Sequence, residues 1–536
     1  MTRRETVRPD VSEGEAFPWT GSFHAWDSRA VTASLVHHFL SETAAHTPDG
    51  EALVTHDPGG VRLGYGQVSA AAASVTAQLA SLGVAKGDRV ALLAHNGLEW
   101  VAAWFGALAA GAVAVPLNTA ADPHSLVHYV TDAGARVLLH GPRFERVLKT
   151  AAPMLGDVHV QPVRTDGPPG TPVAVAETDA AAIIYTSGST GRPRGAVLTH
   201  KNLVSNVRSI VSYLELTPAD RVLVLLPFYY VYGLSLLHMT FASGGTVVVE
   251  NRFQYPNVAL DTLERERCTG LAGVPSTYAI LMNRSTFGER LGTQQLASLA
   301  WATQAGGGMS PALTRQVMDA IAPRRLVVMY GATEASARLS YVPPAELAGA
   351  VGSIGRAIPG VELTVRRADG TACDVDEVGE LFAQGDNIMQ GYWGDPVETA
   401  RVLGPHGYRT GDLARRDAAG RFWLVGRARD MLKVGGHRVA AREIEDAILE
   451  HPAVHECAVI GIPDELMGDR LRAYVVLKTA GAADSNALGL FLKERLPAYK
   501  IPGDFDLRDA LPKNESGKIM KEALRAEAAA AASAPK

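Results

Sequence analysis

From residue 89 onward the chain alternates short β-rich apolar runs with segments of helical period, and this rhythm restricts the large part of the molecule to parallel α/β architecture. The spacing predicts a strand over 89–95, a helix over 99–111 and a strand over 113–118, and strands return at 222–226 and 246–250. Ser310 followed by Pro311, ahead of ALTRQVMDAIA, predicts a capped helix start with proline in its first turn, and a strand follows over 325–329. Between 351 and 426 the pattern changes to short β segments split by Gly and Asp, as in GELFAQGDNIMQGYWGDP, which predicts a small β unit. Beyond 426 comes a mixed α+β module: a polar loop, a helix over 441–449, the strand-like CAVIGIP and RAYVVLK, a second helix and then KNESGKIM. The expected division is a lead-in at 1–30, a large domain at 31–426, a small domain at 427–525 and an Ala-rich tail at 526–536 read as frayed helix or disorder, with the boundary at 427–430.

At 536 residues the chain exceeds what one core fills, and 47% hydrophobic with 20% charged residues is the composition of a folded protein. A net charge of −5 offers no electrostatic footprint for nucleic acid or an anionic membrane, so small molecules are the expected partners. Cys268, Cys373 and Cys457 stand far apart, which suggests neither a disulfide framework nor a zinc site and fits a reducing cytoplasm. The N-terminal residues carry no apolar stretch of the secretory kind. The uncharged run at 101–117 is short for a membrane span and is expected to form a buried helix and a strand.

The sharpest local signal is YTSGSTGRPRG at 185–195, set between two strand-like runs. Its glycines and hydroxyls can turn N–H and O–H groups onto an anion, and Arg194 adds charge. It lacks the Gly-Lys-Ser/Thr of a Walker A loop, and by composition alone it would be an ordinary loop. The string resembles the phosphate loop of the adenylate-forming superfamily of acyl-CoA synthetases, adenylation domains and luciferases. The resemblance implies nucleotide binding by Thr186, Ser187, Gly188, Ser189, Thr190, Gly191 and Arg194, with Arg194 standing where lysine is usual.

Other motifs of that superfamily follow in order from about residue 60 to 525. YGATE at 330–334, which alone reads as a turn with an exposed acid, implies Tyr330 stacked on adenine, Gly331 and Ala332 beside the nucleotide, Thr333 on the α-phosphate and Glu334 on Mg²⁺. QAGGG at 304–308, otherwise a strand-to-helix turn, implies backbone lining by Gly306, Gly307 and Gly308. TGD at 410–412 resembles the ribose motif, with Asp412 accepting from both ribose hydroxyls and Arg427 as a second contact. Arg429 matches the hinge of a mobile small domain, where relatives carry Asp or Lys, and Gly435 and Gly436 match the loop lining a pantetheine tunnel. The next residues, REIE, are expected to be an exposed helix start with Glu443 and Glu445 solvated. In PKNESGKIM, Lys518 matches the catalytic lysine.

LPFYYVYGLS at 226–235 matches the acyl-pocket motif, with Tyr230 where many relatives carry His. Tyr229, Tyr230, Val231, Leu234, Gly307 and Gly308 imply an apolar pocket, and the lack of a nearby Asp argues against α-amino acids. The expected activity is an AMP-forming acyl-CoA synthetase using ATP, Mg²⁺ and coenzyme A. Loading of a separate acyl carrier protein, oxidative luciferase chemistry and a nucleotide-binding regulator without turnover are the alternatives. Coenzyme A is favoured because no carrier module follows the small domain in this sequence.

Overall fold

The computed structural model describes residues 31–56, 60–186, 193–427, 431–434, 437–464, 468–513 and 519–533. The apolar runs pair into two large mixed sheets. In the first, Arg325–Tyr330, Trp301–Gln304, Gly270–Gly273, Arg221–Val224, Thr246–Val249 and Glu51–Thr55 lie side by side and parallel, with short antiparallel strands at both edges. In the second, Ala180–Thr186, Val113–Pro116, Arg89–Leu93, Ala135–His140 and His159–Pro162 are parallel, and Arg194–Thr199 turns back antiparallel on Ala180–Thr186. Strands covered on both faces must be apolar throughout, which is why runs such as TVVV and VAVP do not alternate.

The expected helix after residue 98 is Leu98–Ala109, buried from Trp100 to Leu108. It packs so closely on Tyr65–Ser81 that a Cβ at Gly106 would come 2.6 Å from the Ala72 carbonyl oxygen. No helix among the described residues is long and apolar enough to cross a membrane. Burial also governs three histidines of this region: it lowers His37 and His238 to about 3 and His200 to about 4, so all three are neutral in the folded chain.

The β unit is an antiparallel sheet containing Val361–Arg366, Gly379–Gly385, Gly407–Arg416 and Phe422–Arg427. The C-terminal module builds its own sheet from Met431–Val434, His437–Ala440, Val454–Asp464, Gly468–Leu477 and Asp504–Arg508. Leu432, Ile444, Val459, Val475 and Leu488 form a core separate from those of the large sheets. Its first helix is Ala441–Leu449, as the sequence predicts, but Glu445 is not solvated. The Glu445 carboxylate accepts from Val459 N at 2.7 Å and pairs with Lys521 at 2.6 Å, and burial raises its pKa. Glu443 does face solvent, held by Lys500 at 2.6 Å. The helix Lys521–Ser533 carries regular structure well into the Ala-rich tail.

Candidate nucleotide and acyl site

A cavity of about 470 Å³ opens where the large sheets, the β unit and the C-terminal module meet. Several of its walls arise from strand ends. Arg325–Tyr330 stops at Gly331, whose missing side chain lets the backbone cross Ala337, and a Cβ there would overlap the Ala337 carbonyl oxygen. That crossing sets Tyr330, Gly331, Ala332, Thr333 and Glu334 along one wall. Trp301–Gln304 ends in the glycine run, and Gly306 turns through a positive φ of 81°. The Gln304 amide donates to the Gly307 carbonyl at 2.8 Å and fixes the turn, while Ser310 caps the following helix by accepting from Leu313 N at 3.2 Å.

Two strands of the β unit place the carboxylate expected at ribose. Asp412 sits opposite Arg427 in the ladder, is 7% exposed, and accepts from Tyr330 Oη at 2.5 Å and Arg427 Nε at 3.1 Å. Burial, then the Asp412 charge, raises the Tyr330 phenol, so it is a donor across the physiological range. Glu334 Oε1 accepts from Tyr392 Oη at 2.7 Å, and burial raises Tyr392 as well. Among the described residues no three His, Cys, Asp or Glu side chains cluster as a metal cage. The hard Glu334 carboxylate on the cavity wall nevertheless suits Mg²⁺, which is commonly held by one or two carboxylates and the phosphates of its nucleotide.

At the phosphate side, Thr186 and Arg194 line the cavity as neighbours in the hairpin, their strands in register at these two positions. Residues 187–192 of the expected phosphate loop lie outside the described residues, as do Arg429, Gly435, Gly436 and Lys518. Arg194 pairs with Glu398 at 2.8 Å, and Arg401 holds the same carboxylate at 2.6 Å. Those arginines keep Glu398 below the ordinary glutamate range, hydrogen bonding to Arg401 contributing most.

The residues expected to form the acyl pocket divide. Gly307 and Gly308 line the cavity, whereas Tyr229, Tyr230, Val231 and Leu234 do not. Leu234 and Tyr229 are buried in the strand-to-helix segment behind it, and the rings of Tyr229 and Tyr230 pack at 4.5 Å. Sequence reasoning missed Arg442, Glu398, Arg401, Arg409 and Glu380, all on the wall. Arg442 reaches across from the helix Ala441–Leu449, and a Cβ at Gly308 would stand 2.5 Å from its Nη2.

Two family models match this chain: AMP-binding enzyme over residues 40–393 and AMP-binding enzyme C-terminal domain over 443–518. Among curated relatives, a feruloyl-CoA synthase from Amycolatopsis sp is 35% identical over 87% of this chain and 94% of its own length. A sulfoacetate–CoA ligase from Cupriavidus necator is 33% identical over 90% and 96%. Among solved structures, an anthranilate CoA ligase in complex with anthranoyl-AMP superposes with a TM-score of 0.85 at 27% identity, covering 93% of this chain and 98% of that one. The o-succinylbenzoate CoA synthetase of Bacillus subtilis, in complex with ATP and magnesium ion, gives 0.81 at 29% identity over 90% and 98%. The chain belongs to the AMP-binding enzyme family, in the acyl-CoA ligase branch of the adenylate-forming enzymes.

Proposed function

We propose that this ligase joins a non-amino carboxylic acid to AMP, releasing pyrophosphate, and then passes the acyl group to coenzyme A at the same site. The observation carrying this reading is the convergence of Tyr330, Thr333, Glu334, Asp412 and Arg427 on one cavity, with Arg194 on its phosphate side. A carboxylate resists acyl transfer because its leaving group would be oxide. Attack of its oxygen on the α-phosphorus expels pyrophosphate and makes AMP the leaving group of the next step.

The residue roles are those the motifs imply, and the surroundings of the described residues suit them. Asp412 accepts ribose hydroxyls through the lone pairs that Tyr330 and Arg427 leave over. Thr333 and the N–H groups at 332–334 bond the α-phosphoryl oxygens as negative charge gathers there. Glu334 would hold Mg²⁺, which when bound would neutralise phosphate charge. Arg194, positioned by Glu398, brings positive charge to the phosphate side. Lys518 supplies positive charge at the phosphorus under attack, and the C-terminal module then turns about Arg429, bringing Gly435 and Gly436 to the thiol path. That order keeps the acyl-adenylate from water before the thiol arrives.

The test is pyrophosphate release from the full chain with ATP, Mg²⁺ and a panel of acids, followed by addition of coenzyme A or a carrier protein. Acid-dependent pyrophosphate followed by acyl-CoA is the expected result. Nucleotide binding without pyrophosphate for every acid would leave only the regulatory reading, and a preference for the carrier protein would replace coenzyme A as acceptor.

A further inference from the structure

Glu334, the carboxylate read as the Mg²⁺ ligand, accepts one side-chain hydrogen bond among the described residues, and its donor is a tyrosine outside the motifs. Tyr392 Oη donates to Glu334 Oε1 at 2.7 Å. Burial, then the Glu334 charge, holds the phenol protonated, so it donates throughout the physiological range. A hydroxyl on an ionised carboxylate makes one of the stronger hydrogen bonds, and here it decides which carboxylate oxygen is engaged. Among the described residues Oε2 has no hydrogen-bond or ion-pair partner, and both side chains line the cavity.

Tyr392 is itself held from several sides. In the two-residue strand Gly391–Tyr392 it pairs with Ala196 of the strand Arg194–Thr199, and Trp393 N donates to the Gly195 carbonyl at 2.8 Å. Its own N–H donates to Thr399 Oγ1 at 2.8 Å, on the helix Pro396–Val402 that also carries Glu398. The Arg194 guanidinium lies over its ring, with the central carbon 5.6 Å from the ring centre. The strand that begins with Arg194, the helix whose Glu398 pairs with that arginine, and the Glu334 carboxylate therefore meet on one residue. A carboxylate on a flexible side chain can turn either oxygen toward a metal, or neither. A phenol fixed in this way removes that freedom before any nucleotide arrives.

We propose that Tyr392 is a positioning residue for the metal, its hydroxyl holding Oε1 of Glu334 so that Oε2 is presented to Mg²⁺. This rests on the ligase reading of the site. The hydroxyl acts on the nucleotide only through the metal, so its loss weakens binding of the metal-bearing nucleotide and spares the metal-free one. Groups that hydrogen-bond a metal-ligating carboxylate contribute roughly 10–100-fold to metal affinity. Tyr392→Phe removes only the oxygen and keeps the strand pairing and the ring beneath Arg194.

The experiment compares the full chain as wild type, Tyr392→Phe, Glu334→Ala and the double variant. The probe is α,β-methylene-ATP, which carries the triphosphate but cannot lose pyrophosphate, and calorimetry gives its Kd with saturating Mg²⁺ and again with a chelator. Tyr392→Phe should raise Kd about 10-fold with Mg²⁺ and leave it little changed with the chelator. Beside Glu334→Ala the same substitution should change neither value, because a residue acting through Glu334 then has nothing to act on. Pyrophosphate release by Tyr392→Phe should need more Mg²⁺, with KM for the acid little changed. Tyr392→His, whose imidazole stops short of the Oη position, carries the comparison if Tyr392→Phe does not fold. An unchanged Kd with Mg²⁺, a loss equal with and without the metal, or a loss that persists beside Glu334→Ala overturns the assignment. In each of those cases acid-dependent pyrophosphate release by the wild type keeps the ligase reading intact. No binding of the analogue by the wild type, together with no pyrophosphate from any acid, overturns both.

Discussion

Replacing Asp412 by Asn tests the ribose assignment with little change of shape. The carboxylate gives one oxygen to Tyr330 Oη at 2.5 Å and the other to Arg427 Nε at 3.1 Å, and at 7% exposure it has little water to fall back on. Each oxygen retains roughly one acceptor site, enough for the two ribose hydroxyls. Hydrogen bonds to a charged group contribute about 1.5–3 kcal/mol and neutral ones about 0.5–1.5 kcal/mol. Removing the charge therefore costs about 1–1.5 kcal/mol on each ribose bond, and the new amide NH₂ must face either the Arg427 donor or a ribose hydroxyl. The sum is about 3 kcal/mol, or roughly a 100-fold rise in KM for ATP at 1.4 kcal/mol per decade. ATP–pyrophosphate exchange at saturating acid reads it directly, with KM for the acid nearly unmoved. A KM for ATP within about threefold of wild type, in a variant that melts normally, would refute the ribose role of Asp412.

Lys518→Ala should lower pyrophosphate formation by on the order of 10²–10³ while largely sparing thioester formation from supplied acyl-AMP; equal loss of both half-reactions contradicts its role. His37, His200 and His238 are kept neutral by burial, whereas the unfolded chain takes up their protons below about pH 6.5, so stability falls as pH drops through that value. Calorimetry between pH 7 and 5 should show a falling Tm, with a shallower slope in His238→Phe, and a flat profile would disprove the assignment. Gly331→Ala should cost more than the ~1–3 kcal/mol of ordinary overpacking because its Cβ meets a backbone carbonyl, whereas Gly288→Ala, with nothing within 4 Å, should melt within a degree or two of wild type.

Features set by local pattern were readable from the chain itself. The rhythm of apolar runs gave the parallel strands, and Ser310–Pro311 gave a helix start that the structure places at Pro311. Residues whose motif is contiguous, Tyr330 to Glu334 and Gly306 to Gly308, do share one cavity wall, and Asp412 meets Arg427 there because consecutive antiparallel strands put them in register. Arg442, Glu398 and Arg401 reach that wall only through packing between elements distant in the chain, so no spacing announces them. Glu445 was read as solvated because most helix-start glutamates are, and its partner Lys521 comes from another helix.

Arg442 belongs to a helix packed on the C-terminal core, yet it borders the cavity at Gly308. The chamber is thus enclosed by two separately cored bodies, and its volume is a property of their arrangement rather than of either one. An inhibitor filling the 470 Å³ space and gripping Arg442 would therefore select this arrangement over any in which the helix stands elsewhere. Its potency would report the balance between those arrangements together with the fit of its own atoms.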